Sequence, residues 1–308
     1  VFLASAGSRL AIVAMPDAFP GGLLEELTEQ LRDSPLLRVN RKLKDRGDRQ
    51  STLVDWSLLE TVSDDLIARV IRWLHEDAPV RAQRAAATLM GLVVADWVGA
   101  PLEFLEVTDE PAESRWEHDT FTCHNPNKYE IERGTLKPGQ WTDDTSMALC
   151  LADSLCMHGG LDGSDLRLRF WCWHAEGMNT PWHRDAERTK RKSFGLGYNI
   201  AKSLMALMPD QPIDPTFLNE NSSDSGNGGL MRLAPVPIFY NMPEQIEEAM
   251  DVAGRSSLAT HPGALATETA CYLAFLLHSA INRQDDISAR DFYIQKSDLY
   301  AQRLDDRL

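Results

Sequence analysis

Apolar residues in this chain recur at helical spacing, and this periodicity constrains the fold more than any other feature of the sequence. Alternation typical of β-strands is hard to find anywhere. The pattern predicts helices over 22–33, 57–76, 82–98, 143–158, 164–176, 196–208, 244–258 and 263–281. We therefore predict an all-α fold, in which long connections rich in Pro, Gly and Asn build a site at one end of the helices.

Two stretches of the chain differ in character. Residues 1–80 read as an accessory helical segment of unknown role, with a plausible boundary at Asp77-Ala78-Pro79. Residues 81–308 then form the main domain. Its first helix, 82–98, is apolar nearly all round, which is typical of a central buried helix. We expect residues 85–98 and 143–157 to pack near the centre.

Composition narrows the range of functions. The 308 residues include 46 acidic and 31 basic side chains, which gives a net charge of −15. Such a chain repels phosphate backbones, so nucleic acid is not an expected partner, whereas divalent cations suit it. The five cysteines are scattered without zinc spacing, which favours reduced thiols in the cytoplasm. The apolar start, 1–15, is interrupted and too short to span a membrane, so no membrane partner is expected.

The sharpest local motif is Thr142-Asp143-Asp144-Thr145 at the head of an apolar helix. In the simpler interpretation, Thr142 caps the helix and both aspartates complement its dipole. In the functional interpretation, the hydroxyl and carboxylate oxygens surround Mg²⁺ or Mn²⁺, since these hard cations prefer oxygen ligands. Taken alone, the motif favours the simpler interpretation.

Two acidic residues lie upstream of this motif. Asp96 is a carboxylate within an apolar helix, where burying an unpaired charge is costly, so it must have a partner. Gly99 and Pro101 end that helix and place Glu103 in the following loop. The alternative is that Asp96 bonds only to backbone and that Glu103 is solvated.

Downstream, Gly226-Asn227-Gly228-Gly229-Leu230-Met231-Arg232 is a glycine-rich turn that leads into an apolar segment. Its small residues suit close approach to a diphosphate, although the motif on its own is weak and also fits an ordinary loop. Thr260-His261-Pro262-Gly263 precedes the next helix. It fits either a helix start or a histidine that faces the same pocket.

In their order and in their amino-acid sequences, these segments resemble the ADP-ribosylglycohydrolase family over residues 85–281. Members of this family remove ADP-ribose from modified side chains or from small ADP-ribosylated molecules. The resemblance rests on GLVVADWVGAPLEF, GQWTDDTSMALCLADSL, FGLGYNIAKSL, GNGGLMR and SSLATHPGALATETA. It implies the compact orthogonal helical bundle of that family and a metal-dependent glycosidic hydrolysis with Mg²⁺ or Mn²⁺, two ions being expected in a complete member.

The resemblance also implies roles for individual residues. Thr142, Asp143 and Asp144 would bind the metal, and Glu103 would approach both the metal and the attacked sugar, so Glu103, Asp143 and Asp144 are the predicted catalytic residues. Asp96 would support them from deeper in the fold. The substrate-binding residues would be Asn227, Gly228, Gly229, Met231 and His261. We expect all of these segments to converge on one cleft.

One departure from the family leaves an alternative open. Family members carry a second metal motif, G-x-D-x-D followed by Thr or Ser, near their C-terminus, and this sequence has none. We expect either a C-terminally incomplete domain, which would bind metal weakly, associate readily and hydrolyse little, or a copy that has lost half of its metal site. The alternative function is therefore a catalytically inactive ADP-ribose-binding or structural, crystallin-like member.

Overall fold

The computed structural model describes residues 20–31, 63–100, 136, 139–184, 193, 195–207, 211–217 and 225–305. Every regular element among these residues is a helix, which confirms the all-α prediction. The α-helices are α1 Gly21–Leu31, α2 Asp64–Glu76, α3 Val80–Gly99, α4 Asp143–His158, α5 Gly163–Glu176, α6 Tyr198–Met205, α7 Gly228–Met231, α8 Pro235–Phe239, α9 Ile246–Ser257, α10 Ala264–Ile281 and α11 Ala289–Asp305. Short 3₁₀ turns lie at Pro181–Arg184 and Pro243–Gln245.

Helix α4 lies at the centre of the molecule, as its sequence predicts. All but one of residues 143–155 are buried, and α3, α5, α7 and α8 contact the helix. Buried polar pairs lie beside it: Asn179 donates to the Asp153 carboxylate at 3.1 Å, and Arg169 forms a 2.6 Å ion pair with Asp165. This enclosure fixes the position of the Thr142–Asp144 end of the helix.

Helices α9 and α10 form the most extensive helix pair in the described structure. They lie close together at Gly254 of α9, where an added Cβ would overlap Cys271 and crowd Thr267 of α10. Helix α10 is also long and apolar enough, by length and composition, to cross a membrane. Its contacts with α3, α7, α8, α9 and α11 account for the same composition.

Helix α3 forms as predicted, but its apolar sequence predicted a central buried helix, whereas only one side of it is buried. Its buried residues are Ala82, Ala85, Leu89 and Asp96. Val94 is 39% exposed, and Gly91 and Ala95 are exposed beside it. Burial in the core therefore does not explain why the helix is so rich in apolar residues. Part of the helix instead lines a cavity together with residues of α10.

The helices before residue 80 pack onto the start of α3. Leu23 and Leu27 of α1 meet Leu66 and Val70 of α2, and the cluster ends against Ala82. Ser63 caps α2 by accepting a hydrogen bond from the Leu66 N–H at 3.2 Å. The division of the chain at residue 80 stays a prediction.

Candidate active site

A cavity of about 800 Å³ lies where the N-terminal end of α4 meets α3, α7 and α10. Its lining includes the polar residues Asp96, Thr142 and Asp144, and the glycine-rich turn contributes Asn227 and Met231. Apolar side chains complete the lining: Leu92 of α3, Leu230 of α7, and Leu273 and Leu277 of α10. The structure therefore brings the aspartate motif and the glycine-rich turn to one cavity as predicted, although Asp144 and Asn227 are 83 residues apart in the sequence.

Asp96 caps helix α4 from the neighbouring helix α3. Its carboxylate accepts hydrogen bonds from the Thr142 hydroxyl at 2.7 Å, the Thr142 N–H at 3.0 Å and the Thr145 N–H at 3.0 Å. The prediction that Asp96 needs a partner is confirmed. Thr142 occupies the N-cap position but its side chain makes no capping bond, so the interpretation of Thr142 as the capping group is wrong. The Asp96 carboxylate takes the place of a capping side chain, because it accepts hydrogen bonds from two N–H groups at the N-terminal end of α4.

The hydroxyl of Thr142 is oriented by this arrangement. The hydroxyl hydrogen is donated to Asp96, which leaves the Thr142 oxygen as an acceptor. Burial, followed by the negative charges of Asp96 and Asp143, raises the pKa of Asp144 to about 7. The Asp144 carboxyl is thus both shielded from solvent and close to two other carboxylates, and each of these conditions disfavours its ionised form.

Asp143 is not among the described residues that line this cavity. Its carboxylate lies against Gly195, where an added Cβ would overlap Oδ1, and Gly195 has a φ of +71°. Only glycine adopts that backbone conformation readily while leaving room for the carboxylate. Gly195 lies in the FGLGYNIAKSL stretch, so the sequence contained this partner, but its proximity to Asp143 depends on the tertiary fold.

The glycine-rich turn packs against the segment that contains His261. An added Cβ at Gly228 would overlap the imidazole Cε1, and one at Gly229 would overlap Ser257. An added Cβ at Gly226 would lie 3.2 Å from His261 Nε2 and 3.3 Å from Asn199 Nδ2. These glycines are therefore required by close packing around His261. His261 is 3% exposed and is not among the described residues that line the cavity.

Arg232 is a buried residue that the sequence analysis included in a motif without assigning it a role. It is 0% exposed, its guanidinium lies 4.5 Å from the centre of the Phe170 ring, and Nη2 donates to Ser256 O and Thr260 Oγ1 at 3.1 and 2.8 Å. Burial lowers the pKa of Arg232 to about 9, so the group remains protonated at neutral pH. Arg232 thus ties the glycine-rich turn to the end of α9.

Some of the predicted site residues line the cavity and others do not. Thr142, Asp144, Asn227 and Met231 line one cavity with Asp96, whereas Asp143, Gly228, Gly229 and His261 are not among the described residues that line it. Glu103 lies outside the described residues. Within the described part of the chain, no group of three or more His, Cys, Asp or Glu side chains is arranged to hold a metal ion. The metal-binding and catalytic assignments therefore stay predictions.

Comparison with known sequences assigns this arrangement to a family. Residues 53–306 match the sequence profile described as ADP-ribosylglycohydrolase. The chain belongs to the ADP-ribosylglycohydrolase family. The match includes every segment on which the resemblance rested, and it extends further towards the N-terminus than residue 85.

Curated relatives of this ADP-ribosylglycohydrolase-family chain carry related names. It is 29% identical over 65% of its length to ADP-ribosylarginine hydrolase Tri1 of Serratia proteamaculans, and 30% identical over 70% to Tri1 of Pseudomonas putida. It is 28% identical over 50% of its length to ADP-ribosyl-[dinitrogen reductase] glycohydrolase of Rhodospirillum rubrum. The matches cover 48%, 52% and 44% of these relatives, so the chain spans about half of their length.

Proposed function

We propose that this protein is a metal-dependent hydrolase that cleaves the glycosidic bond between ADP-ribose and a modified side chain or small molecule. The observation that supports this most is the single cavity that Thr142 and Asp144 line together with Asn227 and Met231. A carboxylate end and a glycine-rich turn in one cavity suit a ligand with a sugar at one end and phosphates at the other. Family membership supports the same reaction class.

The donor set at the carboxylate end fits a hard divalent cation. Asp144 offers a carboxylate and Thr142 offers hydroxyl lone pairs, with Asp96 holding the hydroxyl from behind. Mg²⁺ commonly binds through one or two carboxylates, completing its shell with waters and substrate oxygens. Mn²⁺ accepts the same ligands. When bound, such a cation would offset the charge that raises the pKa of Asp144 and would polarise sugar hydroxyls and water.

The chain's own residues then have distinct tasks. Asp96 positions Thr142 and the first turn of α4 through its three hydrogen bonds. The Gly228–Met231 helix and Asn227 bound the side of the cavity that would receive the remainder of the ligand. Hydrolysis also needs a carboxylate that takes a proton from the attacking water, and Glu103 remains our predicted acceptor.

The linkage to test first is ADP-ribosylarginine, because two of the relatives are named for it. The assay measures ADP-ribose release from an ADP-ribosylarginine peptide by the full chain, with Mg²⁺ or Mn²⁺ added and with chelator. We expect cation-dependent release that Asp144→Asn reduces by about 100-fold, a loss usual for a residue that acts at the reacting centre. Asp251→Asn makes the same chemical change at an exposed site and should leave release unaltered.

Two results would overturn the proposal in different ways. Release that is insensitive to chelator and to Asp144→Asn would contradict a metal-assisted reaction at this cavity. Binding of ADP-ribose by calorimetry without release from arginine, serine or small-molecule linkages would instead identify the inactive, ADP-ribose-binding alternative.

A further inference from the structure

The cavity continues along helix α3 well beyond the carboxylate end. Residues of α3 from Ala87 to Gly99 line it at the spacing of one helix face, and Asp96 lies near one end of that face. Ala87 lies about 13 Å from Asp96 along the helix axis. The cavity therefore has room for more than the sugar that the carboxylate end would bind.

The lining that lies further from Asp96 along α3 is apolar. Leu92 of α3 and Leu273 and Leu277 of α10 contribute the large side chains. The hydroxyl of Thr88 also belongs to this part, but it donates to Arg84 O at 2.8 Å. None of the described residues that line the cavity is Lys or Arg, so a diphosphate has no cation to pair with along α3. An apolar group is the better fit.

Gly91 keeps this apolar part of the cavity open. A Cβ added at Gly91 would meet nothing within 4 Å, and Gly91 is not among the glycines with positive φ. Neither close packing nor backbone conformation in the described structure therefore requires a glycine here. Glycine in a helix interior costs about 1 kcal/mol relative to alanine. The space that this costly residue leaves open points to a ligand.

We propose that Gly91, Leu92, Leu273 and Leu277 form a subsite that holds an apolar chain carried by the leaving group of the reaction. We call these four residues the apolar subsite. The assignment rests on the proposed function, because the apolar subsite belongs to the same cavity as Asp144. The substrate class that fits is an ADP-ribosylated guanidine with an apolar chain, in which the guanidine lies near the carboxylates and the chain lies along α3.

The apolar subsite also separates one linkage from another. An alkylguanidine brings several methylenes before any further polar group. A serine linkage brings one methylene, so the peptide amides would enter the apolar subsite and lose hydrogen bonds to water, which is costly. We therefore expect guanidine linkages with a long apolar chain to be preferred over serine linkages.

Hydrolysis of such a substrate leaves a product that can serve as a probe without turnover. The bond between the anomeric carbon and a guanidine nitrogen breaks, the water oxygen bonds to that carbon with one of its hydrogens, and the other proton ends on the nitrogen. The products are ADP-ribose and a free alkylguanidinium. That cation still carries the chain that the apolar subsite would hold.

The binding test is an NMR titration of the full chain, with ¹³C-labelled leucine methyl groups, by methyl-, n-propyl- and n-pentylguanidinium. Burial of one methylene tightens binding by up to about fourfold, so we expect the Kd to fall by at least about tenfold from the methyl to the n-pentyl compound. The Leu277 signal, assigned by its loss in Leu277→Gln, should shift with the n-pentyl compound. Equal Kd values across the series would overturn the proposal.

Gly91→Leu fills the apolar subsite while it improves helix propensity, so we expect it to fold with at least equal stability. It should lose the dependence of Kd on chain length and should bind ADP-ribose within about twofold of the unmodified chain. Val94→Phe adds comparable bulk at an exposed position of α3 outside the cavity lining, and it should keep that dependence.

Leu277→Gln tests the same subsite by polarity instead of bulk. It should raise the Kd of the n-pentyl compound by about tenfold and change that of the methyl compound by less than about twofold. An unaltered dependence on chain length in both Gly91→Leu and Leu277→Gln would overturn the proposal. Weaker ADP-ribose binding in Gly91→Leu with unaltered alkylguanidinium binding would also overturn it, because adenine would then occupy this part of the cavity.

Turnover connects the apolar subsite to the reaction. With Mn²⁺ added, kcat/KM for ADP-ribose release should be at least about tenfold higher from ADP-ribosylated n-pentylguanidine than from the methyl compound, and Gly91→Leu should remove that difference. Equal kcat/KM values would overturn the leaving-group assignment. If no compound releases ADP-ribose, the proposed function fails, whereas the alkylguanidinium titration still decides whether the four residues bind an apolar chain.

Discussion

At the scale of single residues, Asp96 carries the most consequential contacts of the site. One carboxylate satisfies two N–H groups of the α4 end and orients the Thr142 hydroxyl, although it also adds negative charge beside Asp144. The two effects oppose each other in the free energy of unfolding. We expect the three charge-assisted hydrogen bonds to outweigh one repulsion between carboxylates, because Asp144 avoids most of that repulsion when it binds a proton.

We therefore expect Asp96→Asn to lower the free energy of unfolding by about 1–3 kcal/mol, measured by urea denaturation. The same variant should lower the pKa of Asp144, because it removes a negative neighbour. Asp251→Asn is the matched control at an exposed position and should change stability by less than about 0.5 kcal/mol. An Asp96→Asn protein as stable as the unmodified chain would show that the hydrogen bonds contribute nothing net.

Gly228 offers a second test at this scale, because its side-chain hydrogen occupies the space in which a Cβ would meet the His261 ring. Gly228→Ala must displace the turn or the imidazole, so we expect a loss of about 1–3 kcal/mol in stability together with weaker binding of ADP-ribose. Gly197→Ala is the control, since its Cβ would meet Ile200 at an ordinary 3.6 Å. Equal stability and equal Kd for the two alanine variants would contradict the close packing described here.

Residue types and spacing predicted some of these contacts and not others. The Asp96 partnership followed from the cost of an unpaired charge on an apolar helix. The positions of Gly195 against Asp143 and of Arg232 against Thr260 did not follow, because each joins segments whose approach is fixed only by packing. Gly228 and Gly229 were predicted to approach a ligand, yet what their missing side chains leave room for is His261 and Ser257.

At the scale of elements, α10 is held to the turn before α9 by a buried histidine. His278 contacts Met242 O through Nε2 at 2.9 Å, so Nε2 donates to that carbonyl. Burial lowers the pKa of His278, while the bond to Met242 and the charge of Glu244 act in the opposite direction. A histidine whose pKa is lower in the folded state binds a proton more readily when unfolded, so acid favours unfolding.

Because of this contact, we expect the free energy of unfolding to decrease as the pH falls through the range in which histidines usually titrate. His278→Gln keeps a donor for Met242 O and has no titrating group, so its stability should fall less between about pH 7.5 and about pH 5.5. His75→Gln, at an exposed position on α2, provides the comparison and should show the same pH dependence as the unmodified chain. If the stability of His278→Gln decreased more steeply with falling pH than that of the unmodified chain, this account of the contact between α10 and the turn before α9 would be refuted.

Helices with strong periodicity were predictable, and those without it were not. The centre of α4 and the bounds of α5 and α10 follow from apolar spacing to within a few residues. Helix α11 was not predicted, because it buries Phe292 and Tyr300 while leaving Tyr293, Ile294 and Leu299 exposed, which removes a single apolar stripe. The short helices α7 and α8 contain glycines and prolines that sequence patterns assign to loops.

At the scale of the whole molecule, the site is an assembly of separate helices rather than a local motif. Helix α4 supplies the carboxylate end, α7 part of the glycine-rich turn, and α3 with α10 much of the apolar lining. The sequence predicted that these segments meet, but assigned α3 to the centre of the core. Apolar composition alone does not distinguish a helix enclosed on all sides from one that borders a cavity.

The central claim is that the carboxylate end and the glycine-rich turn form one site for a cation and ADP-ribose. The direct measurement is calorimetric titration of the full chain with Mn²⁺, first alone and then with saturating ADP-ribose. Two ligands that meet in one cavity should be coupled, so ADP-ribose should tighten Mn²⁺ binding by about 5- to 100-fold, with the reciprocal effect on ADP-ribose. Asp144→Asn should abolish that coupling. Mn²⁺ affinity that is unchanged by bound ADP-ribose would contradict the claim.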